Sequence, residues 1–216
     1  MGLLASACCT ATAQQAYLNC STRTGDVVRP QSAEETSRIR QAPHGATRKG
    51  RRELDVLWSA GTRKFTDKPP YDADLDGVWW AYCGYSLKLG LHLILEQNVD
   101  NFTGLLLDDK TGQLLPGGKR VLFSPGLKRY LAFEQPDGQD GETIKLCTRE
   151  GIVLWKGQDR ILAPDGVSIN ADLENVHWNE KSQVVAESHV SQGKKEIVRL
   201  IQTKPGKWQW SEESSQ

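Results

Sequence analysis

The chain has 216 residues and no net formal charge, with 27 Lys and Arg against 27 Asp and Glu. That length suits one domain with a real core, and the balanced charge argues against general nucleic-acid binding, which draws on a basic face. No run approaches the roughly 18 apolar residues of a membrane-spanning helix, and seven Trp and twenty Gly beside a single Met suit a β-rich fold with many turns.

Met1 to Gln14 is small, apolar and uncharged. Ala11-Thr12-Ala13 has the small-x-small pattern of a signal-peptide cleavage site, so residues 1–13 read as a signal-like leader, although the usual basic start is absent. Leu4-Ala5-Ser6-Ala7-Cys8 resembles a bacterial lipobox with Ala5 where Leu is usual. That resemblance makes Cys8 the candidate for lipidation and for a lipid anchor. Cleavage after Ala13 leaves Cys20, Cys83 and Cys147, enough for one disulfide and one free thiol, with the pairing open. Cys83 is expected to be structural, and Cys147 to face the other side of its strand from Ile144 and Leu146. No Cys-x-x-Cys occurs, which removes the simplest zinc and redox readings.

Residues 14–52 are rich in Ser, Thr, Arg and Gln with few large apolar groups, the composition of a flexible linker. Ser32-Ala33-Glu34-Glu35 matches a capping box that starts a short helix through about Gln41. The basic run Arg48-Lys49-Gly50-Arg51-Arg52 could grip phosphate or acidic lipid. Such runs are usually solvated, however, and Glu53 and Asp55 offset this one. The domain boundary is expected near residue 52, with a β-rich domain over 53–216.

Leu54 to Trp58 reads as a strand, Ser59-Ala60-Gly61 as a turn, and Arg63 to Phe65 as the return. Lys68 to Gly77 is a loop leading to a strand through Trp79 and Trp80. Leu91 to Glu96, Tyr130 to Glu134 and Gln183 to Glu187 are comparable apolar strands ending in Glu, and each precedes a hairpin with Gly at its turn, namely Gly112, Gly151 and Gly206. The near-constant interval from Glu to Gly marks a repeated meander, with uneven spacing between units. Within the second unit, Phe123-Ser-Pro-Gly-Leu-Lys-Arg-Tyr-Leu-Ala132 resembles the F-S-P-D-G-K-x-L-A stretch in blades of TolB-like and WD-repeat β-propellers. Gly126 replaces the usual Asp, and the Gly-His and Trp-Asp dipeptides are missing. The resemblance implies blade-like units, but closed propellers need about four to eight blades. The expectation is therefore an all-β fold of degenerate antiparallel meanders, either a partial propeller or a twisted sandwich, after a poorly ordered N-terminal segment.

Asp72-x-Asp74-x-Asp76-Gly77 matches the first half of an EF-hand loop, in which alternate carboxylates converge on Ca²⁺. The twelfth position is Cys83 rather than Glu, so an Asp-rich surface turn competes with the metal reading. Asp137, Asp140 and Glu142 raise the same question more faintly. Of His44, His92, His177 and His189, His92 lies in an apolar strand and suits a packed core role better than that of a base. No Gly-x-Ser-x-Gly elbow, His-Glu-x-x-His helix or Walker loop is present. Glu96, Glu134 and Glu187 recur at equivalent positions, which favours structure over a glycosidase pair. Trp79, Trp80, Trp208 and Trp210 are the binding candidates, because indoles bury large areas and keep a polar handle. Trp208 and Trp210 share one strand face, whereas Trp79 and Trp80 must point to opposite faces. The expected function is an exported, non-catalytic module, periplasmic or secreted, that recognises a protein or an envelope component, for example as an inhibitor or immunity-type protein. A Ca²⁺-assisted hydrolase of envelope sugar or peptide is the alternative.

Overall fold

Strands of alternating apolar residues, punctuated by Gly and Pro, pair with their sequence neighbours along almost the whole chain. The computed structural model describes residues 16–22, 26–70, 77–98, 101–136, 141–162, 169–190 and 195–212. Among these the fold is all-β apart from the helix α1 (Ala33–Arg40), and every strand pairing is antiparallel.

The described residues form four sheets. The first runs β2 (Ala46–Lys49), β3 (Glu53–Trp58), β4 (Gly61–Thr66), and the second β5 (Trp79–Ser86), β6 (Leu91–Asn98), β7 (Asn101–Asp108), β8 (Leu114–Pro116). In the third, β9 (Arg120–Phe123), β10 (Arg129–Glu134), β11 (Thr143–Thr148) and β12 (Val153–Gln158) follow one another, and β1 (Tyr17–Asn19) joins the free edge of β9. The fourth runs β13 (Arg160–Leu162), β14 (Ile169–Trp178), β15 (Val184–Val190), β16 (Lys195–Lys204) and β17 (Lys207–Glu212). The repeated meander is present in the fold: β6, β10 and β15 carry Glu96, Glu134 and Glu187. Gly112, Gly151 and Gly206 close the β7–β8, β11–β12 and β16–β17 turns at φ of 69°, 89° and 73°. Glycine enters that left-handed region without the penalty a Cβ would bring.

The sheets stack face to face in sequence order. On β11, Ile144 and Leu146 join Leu173, Val184 and Leu200 of the fourth sheet, whereas Cys147 points the other way, into a cluster with Leu91, Leu93 and Leu106 of the second. Tyr82 of β5 and Ile94 of β6 in turn pack with Leu54, Val56 and Phe65 of the first sheet. The second and third sheets are thus covered on both faces, which is why Leu91 to Leu95 is an unbroken buried run rather than an alternating one. Each such aliphatic side chain contributes about 1.5–3 kcal/mol through burial. Among the described residues Cys147 is the one free thiol; burial pushes it up to about 11, which keeps it protonated at neutral pH.

Residues 26–52, linker-like in composition, are packed onto the second sheet, and the boundary expected near residue 52 falls inside the β2–β3 hairpin. Ser32 caps α1 by accepting from the Glu35 N–H at 3.1 Å. The Glu35 side chain is fully buried; it accepts from Arg48 Nη2 at 2.9 Å, the Tyr82 N–H at 2.8 Å and the Gln31 N–H at 2.6 Å. Asp67 accepts from the Trp80 N–H at 2.8 Å, and Arg48 donates to the Trp80 carbonyl. Arg38 donates to the carbonyls of Cys83 at 2.7 Å, Asn19 at 2.6 Å and Ser21 at 2.7 Å. Carboxylates therefore take the N–H groups, and guanidiniums the carbonyls, along the edge of β5 that no strand of its own sheet covers. A Cys20–Cys83 disulfide ties the same edge to the chain before α1.

Glu35→Ala should lower unfolding free energy by about 3–5 kcal/mol, because it strands a buried guanidinium and two backbone donors. Glu35→Gln, which keeps an acceptor for the Tyr82 N–H, should cost less; urea unfolding of both variants checks the order. Cys83→Ser opens a loop of 63 residues and should cost about 4 kcal/mol by the same measurement.

Candidate functional site

Asp72, Asp74 and Asp76, Asp137 and Asp140, and Cys8 lie outside the described residues. Glu142 lies within them and pairs with Lys119 at 2.8 Å. The four candidate tryptophans are described as well, and they divide. Trp80 turns toward the first sheet and packs on Phe65 with ring centroids 5.1 Å apart. Trp208 and Trp210 lie on one face of β17, with Gln209 exposed on the other, and both pack against the core between the third and fourth sheets. Trp210 meets Trp155 edge to face at 6.0 Å, and the Arg129 guanidinium stands 5.7 Å from the Trp208 ring. Trp79 points away from Trp80, and its Nε1 donates to Gln97 Oε1 at 2.7 Å.

Trp79 lines a cleft, a space of about 330 Å³ shared with Arg29, Pro30, Gln31, Arg51 and Asp67. Gln31 sits at φ 61° and donates from Nε2 to the Arg51 carbonyl at 2.8 Å, which joins the two walls. Asp67 directs its charge to Arg48 and to the Trp80 N–H; burial nevertheless raises its carboxyl above the ordinary carboxylate value. Arg29 and Arg51 are exposed and have no charged partner among the described residues. The cleft therefore offers two guanidiniums around an indole whose own N–H is already engaged. Guanidiniums suit carboxylate or phosphate, and the indole face suits an apolar body beside it. Sequence reasoning found Trp79 but missed Arg29 and Gln31; the only signal for Arg51 was the basic run, which the fold splits between an internal Arg48 and an outward Arg51.

A second constellation joins the first two sheets. Tyr82 Oη lies 2.9 Å from His92 Nδ1, and His92 Nε2 lies 3.5 Å from Asp109 Oδ1. The other Asp109 oxygen meets His44 Nε2 at 3.1 Å and accepts from Tyr85 Oη at 3.5 Å. The order Tyr, His, Asp resembles a nucleophilic relay, but Tyr82 and His92 are fully buried, so no substrate reaches the hydroxyl. Burial also pushes His92 below its ordinary value and Tyr82 above its own. His92 is a satisfied core residue.

The recurring glutamates do not converge. Each instead engages the next strand along the chain. Glu96 accepts from Thr103 at 3.4 Å, Glu134 pairs with Lys145 at 2.6 Å, and Glu187 lies 3.5 Å from Lys195. Their recurrence is a sheet-building feature.

His92 has a testable signature. With its folded-state value depressed below 6.5, the unfolded chain takes up the proton first as pH falls, so stability is lost on acidification from about pH 7.5 into the range below 6.5. In His92→Gln the loss over that interval should shrink, as measured by urea unfolding at several pH values; an unchanged slope would remove His92 as its source. Comparison with protein-family models, curated proteins and solved structures finds no match to this chain.

Proposed function

We propose that this protein is a non-catalytic binding module that captures an acidic segment of a partner protein in the cleft at Trp79. The observation that carries the reading is the pairing of a pinned, cleft-lining indole with two exposed guanidiniums, Arg29 and Arg51, that have no charged partner among the described residues. The other three candidate indoles are engaged in core packing, and the Tyr82–His92–Asp109 relay is closed to substrate. An aromatic and Arg set in a partly desolvated hollow has the composition of an interface hot spot.

The Cys20–Cys83 disulfide supports placing the module in an oxidising compartment, outside the cytoplasm, as do the leader-like residues 1–13. Cys8 would then hold it to a membrane by a lipid. Successive meanders packed face to face support reading the units as propeller-like blades in an open stack.

Affinity capture from an envelope extract on the immobilised protein should retain a defined partner that elutes with salt. Arg29→Glu with Arg51→Glu should weaken that capture at least about tenfold, or 1.4 kcal/mol, with thermal unfolding unchanged. Trp79→Ala should do the same without altering salt dependence. Failure to capture a partner, or a partner that binds the double variant equally, would overturn the reading.

A further inference from the structure

The fourth sheet carries a cluster that neither the cleft nor the core uses. Glu174 of β14 stands directly across from Glu187 of β15, and His189 follows Glu187 by two residues, on the same strand face. His189 Nε2 lies 3.1 Å from Glu174 Oε2 and 4.0 Å from Glu187 Oε2, and the three donor groups fall within 4.8 Å of one another. Two carboxylates paired directly across an antiparallel ladder repel each other. His189 Nε2 is screened from solvent, yet completes no hydrogen bond of good geometry to either carboxylate.

The neighbouring residues hold this arrangement in place. β14 carries a bulge after Glu174, with Asn175 at φ 52°, and the Asn175 amide donates to Glu187 Oε1 at 2.8 Å. That bond leaves Glu187 Oε2 to face His189. A ligating carboxylate oriented through its second oxygen is the usual outer-shell arrangement at metal centres. Lys195 Nζ, 3.5 Å from Glu187 Oε2, is the one competing cation nearby among the described residues, and its side chain is largely exposed and free to swing away.

From this geometry we infer that Glu174, Glu187 and His189 form a binding site for a divalent ion of the zinc class. One imidazole and two carboxylates suit such a borderline ion better than Ca²⁺, which takes six to eight oxygens. Ligands about 2.0–2.1 Å from zinc stand about 3.3 Å apart. The Glu174–His189 separation already meets this, and rotation of exposed Glu174 and a small closure of Glu187 supply the rest. Three protein ligands leave a fourth position open to water or to a donor from another molecule.

The site can be tested on untagged full-length protein by calorimetric titration with zinc chloride, and with cobalt(II) as a spectroscopic probe of coordination. Saturable zinc binding is expected, with tetrahedral cobalt absorption in the visible. His189→Ala and Glu187→Gln should each weaken binding at least about tenfold, and Asn175→Ala, which removes the orienting amide, should do so by roughly tenfold as well. Lys195→Ala should strengthen it, by removing the competing charge. Absence of saturable binding, or zinc affinity unchanged in both His189→Ala and Glu187→Gln, would overturn the site. So would cobalt bound without tetrahedral absorption.

Discussion

The structure depends on a buried ionic lattice at the edge of β5. Glu35, Arg48 and Asp67 are almost wholly removed from water, and between them they satisfy the backbone of Trp80 and Tyr82. An edge strand otherwise presents a row of open donors and acceptors to any passing chain. Here the row is closed by side chains, with Arg38 and the Cys20–Cys83 bond continuing the closure along the strand. Desolvating such charges is costly, and the cost is offset because the carboxylates and guanidiniums find backbone and ionic partners. The fixed position of β5 then sets which way Trp79 and Trp80 point.

Behind that edge, the four sheets stack with an apolar layer between each neighbouring pair. A sheet covered on one face needs only alternate apolar residues, but the second and third sheets are covered on both. Their strands therefore tolerate small or polar residues only where a partner waits, as His92 does between Tyr82 and Asp109. Interior packing of this kind transmits little freedom, so the two proposed recognition features lie where it ends. One is the cleft beside the 29–31 turn; the other is the solvent-facing side of the β14–β15 pair. They sit on the second and fourth sheets respectively and share no residue.

The strands after Leu54 and their turns are legible in the sequence because their causes are local. Period-two alternation places side chains on faces, and Gly112, Gly151 and Gly206 supply conformations that other residues resist. The Glu at the end of each repeated strand is legible as structural too, since its partner comes from the very next strand in the chain. The segment before residue 52 is not legible in the same way. Beside a few scattered buried apolar residues such as Val28 and Ala46, it holds its place through a disulfide, charge and hydrogen bonding, and hydrophobic patterning is blind to those. β2, Ala46-Thr-Arg-Lys49, has no apolar stripe to announce it, so periodicity does not reveal the first sheet as a further unit.

At the candidate site, covalent order alone required Trp79 and Trp80 to diverge, and local chemistry alone required tight turns at the repeated glycines. Which indole would be covered was decided by Phe65, brought from another sheet, and which arginine of the basic run would turn inward was decided by the carboxylates waiting at β5. The same division holds for Glu174, Glu187 and His189, where pairing across β14 and β15 creates a cluster that spacing along the chain conceals. Backbone preferences act between neighbours in sequence and can be read there, whereas ionic partners and donor clusters form between groups that only the folded chain brings within a few ångströms.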